Sequence, residues 1–130
     1  MKKTLMAAAM TLVGATAAFA DPIYGTWKTI PDDNGNYGLI SVAACGSKIC
    51  GTLAKSFNPD GSELNSPNNG RKIIWDMVND GGGNYSGGKV YSPDRDKTYK
   101  GKLVLSGNSL AVSGCVLGIC RSGGSWSRVK

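Results

Sequence analysis

From residue 24 onward, the sequence alternates between short segments of two-residue apolar periodicity and clusters of turn-forming residues. A two-residue period places apolar side chains on one face of a β-strand, and no long stretch after residue 20 has the 3.6-residue apolar period of a helix. The nineteen glycines outnumber the five prolines and suit tight turns. The pattern predicts an all-β domain with eight strands, at residues 24–30, 38–45, 49–57, 72–78, 85–91, 98–105, 110–115 and 125–129.

Eight short strands at this spacing are typical of an antiparallel up-and-down barrel or of a sandwich. Closure into a barrel removes exposed strand edges, which otherwise pair with other chains, so we predict a small barrel. A membrane-spanning barrel is the less favoured alternative. Its strands need a continuous apolar outer face, which the segment 85–90, interrupted by Gly87 and Gly88, does not provide.

The first twenty residues have the composition of an export signal. Lys2 and Lys3 precede the uncharged stretch 5–19, which ends in the small-x-small pattern of a signal-peptidase site. That stretch is shorter than the roughly 20 apolar residues that a membrane-spanning helix needs. We therefore expect residues 1–20 to be cleaved, leaving one domain at 21–130 in the periplasm or outside the cell.

The positive charge of the chain is mild and dispersed. The formal net charge is +6, and loss of Lys2 and Lys3 with the leader leaves +4. The remaining lysines are scattered along the strands, whereas a nucleic-acid-binding protein usually carries a clustered basic stripe. We expect no nucleic-acid partner; weak adhesion to anionic lipid or polysaccharide is the alternative to solvated strand faces.

The four cysteines lie in two similar CxxxxC pieces. An even number of cysteines in a small exported domain predicts two disulfide bonds. A zinc site is less favoured because the spacing is not CxxC and the chain has no histidine. In an up-and-down barrel the two pieces lie at opposite ends, too far apart for disulfides between them. We predict the pairs Cys45–Cys50 and Cys115–Cys120.

The absence of histidine from the chain limits its chemistry. Ser-His-Asp and Cys-His catalysis are excluded, as are most transition-metal sites. Carboxylates in the turns at 60–63 and 94–96 lack the spacing of a calcium-binding loop. We expect no catalytic residue, no metal site, no cofactor and no enzymatic activity, although paired carboxylates for glycoside chemistry stay open.

Tryptophan and arginine residues occur at the two ends of the predicted domain. The first strand begins with Gly25-Thr26-Trp27, and the last contains Trp126-Ser127-Arg128. This arrangement resembles that of lipocalins and other calycins. The resemblance implies that Trp27 closes one end of the barrel and that Arg128 packs across its indole in a cation–π contact.

A longer set of motifs resembles one family of secreted bacterial proteins. The motifs are CG at 45–46 and 50–51, GGKVYSPD at 87–94, KTY at 97–99, VSGC at 112–115 and WSR at 126–128. Together they are similar to domain-of-unknown-function family 2147, and the similarity covers nearly all of residues 23–129. The resemblance implies a lipocalin-like fold and a compartment outside the cytoplasm, but no mechanism.

Two functions follow from these expectations. The first is binding of a small apolar or amphipathic ligand inside the barrel, with Trp27, Trp75, Tyr91 and Tyr99 as candidate ligand-binding residues. The alternative is a cell-envelope interaction module with a solid barrel, which presents the polar loop 58–70 to another protein or to glycan. The oligomeric state stays open.

Overall fold

A computed structural model describes residues 20–130, so the predicted signal peptide lies outside the described residues except for Ala20. Within this range, no helix is long and apolar enough to cross a membrane. The regular elements of the described range are ten β-strands: β1 (Gly25–Lys28), β2 (Tyr37–Cys45), β3 (Lys48–Phe57), β4 (Glu63–Leu64), β5 (Lys72–Gly81), β6 (Asn84–Ser86), β7 (Lys89–Ser92), β8 (Lys97–Ser106), β9 (Ser109–Val116) and β10 (Ile119–Arg128).

The strands form one antiparallel sheet that closes on itself. Strands β3, β2, β1, β10, β9 and β8 are neighbours in that order, and β5 pairs with β3 to complete the ring. Strands β6 and β7 each pair with both β5 and β8, so together they occupy one position in the wall. The result is the predicted eight-stranded up-and-down barrel, with β4 as a short additional strand on β3.

The wall position shared by β6 and β7 is interrupted at Gly88. A Cβ atom at this residue would overlap the backbone carbonyl oxygen of Trp75, because the backbone between β6 and β7 approaches β5 closely here. Only glycine fits such a close approach. The single predicted strand 85–91 is therefore divided in two.

Strand β10 begins six residues earlier than predicted. The sequence Gly123-Gly124 is typical of a turn, and the predicted strand therefore began at Ser125. In the structure, the pairing of β10 with β9 continues across these glycines through a bulge between Ser122 and Ser125. The β9–β10 hairpin is consequently long, and both of its cysteines lie within paired strands.

The core is built from the inward-facing side chains of the barrel strands. Paired residues across two strands point to the same face, so the pairs Trp27↔Ile40 and Leu103↔Val112 place their side chains inside. Each fully buried large apolar side chain stabilises the fold by about 1.5–3 kcal/mol. The largest fully buried side chains are Trp27, Tyr85, Ile23, Ile40, Ile74, Met77, Leu103 and Leu110.

The connections divide between two ends of the barrel. We call one the sealed end; it carries the N-terminal segment 21–24 and the β2–β3, β5–β6 and β8–β9 turns. The other, the open end, carries the β1–β2 connection, the long segment 58–71, the β7–β8 turn and the β9–β10 turn.

Two disulfide bonds clamp hairpins at opposite ends of the barrel. Cys45–Cys50 joins β2 and β3 at the sealed end, with 5.6 Å between the Cα atoms. Cys115–Cys120 joins directly facing residues of β9 and β10 at the open end, with 4.0 Å between the Cα atoms. Both pairs are those that the meander topology predicts.

Candidate functional site

Trp27 lies at the sealed end, with no exposed surface. Its indole Nε1 donates a hydrogen bond to the backbone oxygen of Ile23 at 2.9 Å. The guanidinium carbon of Arg128, the residue that pairs with Trp27 across β1 and β10, lies 4.4 Å from the indole ring centroid. Such a cation–π contact contributes about 0.5–2 kcal/mol.

The Arg128 guanidinium also fixes the N-terminal segment. It donates hydrogen bonds to the backbone oxygens of Pro22 at 2.6 Å and Tyr24 at 3.0 Å, and to Oδ1 of Asn108 at 3.1 Å. Because two of these acceptors belong to the segment that leads into Trp27, one side chain holds both the indole and the N-terminal segment. This end of the barrel is closed.

Asp21 completes the closure from the other side. It accepts hydrogen bonds from the Tyr85 hydroxyl at 2.6 Å, the Ile23 backbone N–H at 2.9 Å and the Asn79 amide at 2.9 Å. Partial burial acts to raise the pKa of Asp21, but these hydrogen bonds outweigh it and lower that pKa. Burial and the bond to Asp21 raise the pKa of Tyr85.

The open end leads into a cavity of about 1190 Å³, which includes the space between the connections around its mouth. Drug-sized ligands occupy pockets of about 300–1,000 Å³, so the cavity has room for a small molecule. Its inner wall is apolar, whereas the residues around its mouth include Asp32, Asp33, Asp94, Arg95 and Arg121. The inner wall includes Ile40, Leu53, Ile74, Val90, Val112 and Trp126.

Tyr99 crosses part of this inner wall. It pairs with the inward-facing Val90, so its ring lies on the inner face of the barrel. A Cβ atom at Gly114, on the next strand, would lie 2.8 Å from Cγ of that ring. The missing side chain at Gly114 thus makes room for the aromatic ring at the cavity.

The four predicted ligand-binding residues do not all meet at the cavity. Tyr91 and Tyr99 are among its lining residues, whereas Trp27 and Trp75 are not. Trp27 is packed into the sealed end, and Trp75 pairs with Lys89 on the outer face, next to the inward pair Ile74↔Val90. The sequence predicted the strand on which each aromatic residue lies, but it did not predict whether the side chain faces inward or outward.

Tyr91 lies at the mouth of the cavity, between two charged side chains. Its hydroxyl donates a hydrogen bond to Oδ1 of Asp96 at 2.6 Å, and the guanidinium carbon of Arg71 lies 3.7 Å from its ring centroid. The bond to Asp96 raises the pKa of Tyr91. Arg71 ends the long segment of the open end, so this stacking ties that segment to β7.

The aliphatic wall and Trp126 were not predicted as ligand-binding residues. Alternation along β9 places Leu110 and Val112 on one face, two residues apart. Trp126 pairs with Leu110 and so faces the same way, which identifies Val112 and Trp126 as inward-facing residues. Alternation does not distinguish a residue that lines a cavity from one that fills the core. That difference depends on the position of each residue along the barrel axis.

The long polar loop 58–70 is part of the wall of the open end. Its strand β4 pairs with β3, and Ser56 Oγ donates a hydrogen bond to Asn69 Oδ1 at 2.6 Å. The backbone N–H of Gly70 donates to the oxygen of Leu53 at 2.7 Å. Leu64 of this loop lines the mouth of the cavity. The loop and the cavity thus form one region.

Residues 20–130 contain no group of three or more His, Cys, Asp or Glu side chains placed to hold a metal ion. The one ion pair in this range joins Lys55 and Glu63, 3.5 Å apart and largely exposed. Arg95 and Arg121 at the mouth therefore have no carboxylate partner within the described part of the chain. Their charges are available to a polar group at the mouth.

Comparisons with known proteins agree with the geometry. A sequence model of the family described as "Uncharacterized protein conserved in bacteria" (DUF2147) matches residues 25–128. A similar solved structure is that of protein HP1028 from the human pathogen Helicobacter pylori, described as belonging to the lipocalin family. It has a TM-score of 0.67 and 18% sequence identity, over 85% of each chain, so the likeness concerns the fold alone. None of the curated proteins compared with the chain matches it.

Proposed function

The chain belongs to the DUF2147 family of proteins conserved in bacteria, and we propose that it binds a small apolar or amphipathic molecule in the cavity of the open end. The observation that carries the proposal is an apolar inner wall at the base of a cavity of about 1190 Å³ that includes its polar mouth, in a barrel whose other end is closed by Trp27 and Arg128. A cavity of this kind accepts an apolar group from one side only.

The chemistry of the wall favours an aliphatic or aromatic group in the interior. Aliphatic side chains, Tyr99 and Trp126 surround the space, and burial of each ligand CH₂ group there contributes about 0.8 kcal/mol. The mouth carries both carboxylates and arginines, which suit a polar head group. An amphipathic molecule satisfies both regions.

The alternative of an interaction module assumes a solid barrel. The space between the inner wall and the mouth does not fit that assumption, so we do not put this alternative forward. Loop 58–70 instead enters the proposal as part of the mouth, through Leu64, Ser66 and Asn68.

We also propose that the protein works in the periplasm and is not an enzyme. Support for the compartment comes from the leader-like residues 1–20 and from the two disulfide bonds, which persist in oxidising compartments. The mass of the protein recovered from a periplasmic fraction tests the proposed compartment directly. We expect a chain that begins at Asp21, and a full-length chain confined to the cytoplasm would contradict the proposal.

Fluorescence titration with N-phenyl-1-naphthylamine tests ligand binding. The parent protein should bind this apolar probe saturably, with a dissociation constant of about 1–100 µM. Val112→Trp fills the cavity from the inner face and should weaken binding at least tenfold. Ala111→Trp is the matched control because Ala111 precedes Val112 on β9 and faces outward.

Thermal unfolding of both variants shows whether they remain folded. If both unfold cooperatively and Ala111→Trp binds like the parent, loss of binding in Val112→Trp locates the probe in the cavity. No saturable binding by the parent, or equal binding by both folded variants, would reject the proposal.

A further inference from the structure

The turn of the β9–β10 hairpin exposes apolar side chains at the open end. Leu117 is 96% exposed, Ile119 68% and Val116 52%. We call residues 116–119 the hairpin tip. Pairing between β8 and β9 ends at Lys100↔Cys115, so the hairpin tip extends beyond the last rung of that pair.

The backbone at the hairpin tip makes leucine an unexpected choice. Leu117 has φ +52° and Gly118 has φ +80°, the left-handed conformations of a two-residue hairpin turn. Asn or Gly usually occupies the first of these positions, and other L-residues cost about 1–2 kcal/mol there. Leu117 therefore helps neither the turn nor the core, which points to a contact outside the chain.

The hairpin tip is held rigid, and the cation of Arg121 lies at a fixed distance below it. The Cys115–Cys120 disulfide clamps the two strands directly below it. Ile119 pairs with Val116 and Arg121 pairs with Gly114, so the side chains of Ile119 and Arg121 lie on the same face. At about 3.3 Å per residue along a strand, Arg121 lies about 7 Å below Ile119.

The strands next to the hairpin tip carry basic residues. Residues 97–130 contain no Asp or Glu, and Lys97, Lys100 and Arg121 lie toward the open end, whereas Arg128 is held at the sealed end. The carboxylates of the open end lie on other connections, at Asp32, Asp33, Asp60, Glu63, Asp94 and Asp96. Within the described residues, the Arg121 side chain forms no ion pair and donates no hydrogen bond, so its charge is available to an anionic surface.

We propose that the hairpin tip inserts into the interface of an anionic lipid bilayer, with Leu117 leading and Arg121 meeting the lipid phosphates. The surface area of three apolar side chains is far smaller than the roughly 800 Å² that each partner buries in a stable protein interface, which disfavours a second copy or another protein. A bilayer accepts a tip of this size. Apolar groups at its interface are buried by about 5–10 Å, which matches the depth of Arg121 below the tip.

This inference does not require the cavity to hold a ligand. The hairpin tip also lines the mouth, so a docked molecule would hold its open end against the bilayer. The contact is peripheral and reversible, because burial of three side chains contributes only a few kcal/mol before the cost of association.

Cosedimentation with lipid vesicles tests the proposal. The protein as recovered from cells should bind vesicles of 3:1 phosphatidylcholine and phosphatidylglycerol at low salt, and less to vesicles of phosphatidylcholine alone. Leu117→Asn should lower the partition coefficient at least about tenfold, the effect of one buried leucine. Asparagine tolerates the left-handed backbone, so this variant keeps the turn.

Two further variants separate the parts of the contact. Val104→Thr removes another exposed apolar group, on the outer face of β8, and should bind like the parent. Arg121→Gln should reduce binding to the anionic vesicles and leave binding to pure phosphatidylcholine unchanged. All variants share one N-terminus, so residues of the leader cannot produce a difference between them.

Three outcomes would overturn the proposal. One is vesicle binding that Leu117→Asn leaves unchanged. Another is self-association without vesicle binding, detected by sedimentation velocity and abolished by Leu117→Asn, which would assign the tip to a second copy. The third is an effect of Leu117→Asn on N-phenyl-1-naphthylamine affinity without any vesicle binding, which would assign the tip to the cavity ligand.

Discussion

Asp21 and Arg128, from opposite ends of the domain, together close one end of the barrel. Arg128 contacts the Trp27 indole and the backbone that crosses it, while Asp21 holds that backbone to Tyr85 of β6. The carboxylate is stabilised by three hydrogen bonds, which lower its pKa although partial burial opposes them. A group whose pKa is lower in the folded state stabilises the fold only while it is ionised.

We predict that Asp21 makes the free energy of unfolding depend on pH in the acid range. Its ordinary pKa is 3.8, so its contribution is complete above about pH 5 and is lost as the pH falls through the lowered pKa of the folded state. Urea unfolding between pH 7 and pH 2.5 should show a steeper loss of unfolding free energy for the parent than for Asp21→Asn.

Tyr85→Phe and Asp33→Asn provide the matched comparisons for this prediction. Tyr85→Phe removes the donor nearest the carboxylate and should flatten the same part of the profile. Asp33→Asn changes an exposed carboxylate at the open end and should leave the profile of the parent unchanged. Parallel profiles for the parent and Asp21→Asn would contradict the assignment.

The strands show what local pattern can and cannot predict. Two-residue alternation located all eight wall positions, because inward and outward residues differ in polarity. It failed at two glycine pairs in opposite ways. The predicted strand 85–91 is interrupted at Gly87-Gly88, whereas Gly123-Gly124, which resemble a turn, lie within β10. Strand β4 was also missed, because two residues in a polar loop carry no periodicity.

We predict different consequences for the loss of each disulfide bond. Each closes a loop of about six residues, and the chain-entropy model gives a stabilisation of about 2 kcal/mol for either. The β2–β3 hairpin also pairs with β1 and β5, whereas the end of the β9–β10 hairpin has fewer neighbours. Loss of Cys115–Cys120 should therefore loosen its hairpin locally.

Hydrogen exchange on the two double Cys→Ser variants measures this difference. Replacement of Cys115 and Cys120 should raise amide exchange at residues 114–122 and leave the rest of the barrel protected. Replacement of Cys45 and Cys50 should lower protection throughout. Similar exchange patterns in both variants would show that the β9–β10 hairpin is as well supported by its neighbours as the β2–β3 hairpin.

As a whole, the molecule is a barrel closed at one end and open at the other. The closed end followed from the family resemblance, through Trp27 and Arg128, but Asp21 and Tyr85 are 64 residues apart and no local pattern joins them. The cavity could not be predicted, because apolar inward residues are common to packed and hollow barrels. Its space depends on where small residues such as Gly114 fall along the barrel axis.

Quenching of tryptophan fluorescence by 12-bromododecanoic acid tests the open cavity most directly, since bromine quenches an indole only at close range. Trp126 lines the cavity, whereas Trp75 does not and Trp27 is buried at the closed end. We predict saturable quenching in the parent and in Trp75→Phe, and its loss in folded Trp126→Phe. Absence of saturable quenching, or equal quenching in Trp126→Phe, would contradict a ligand-binding barrel.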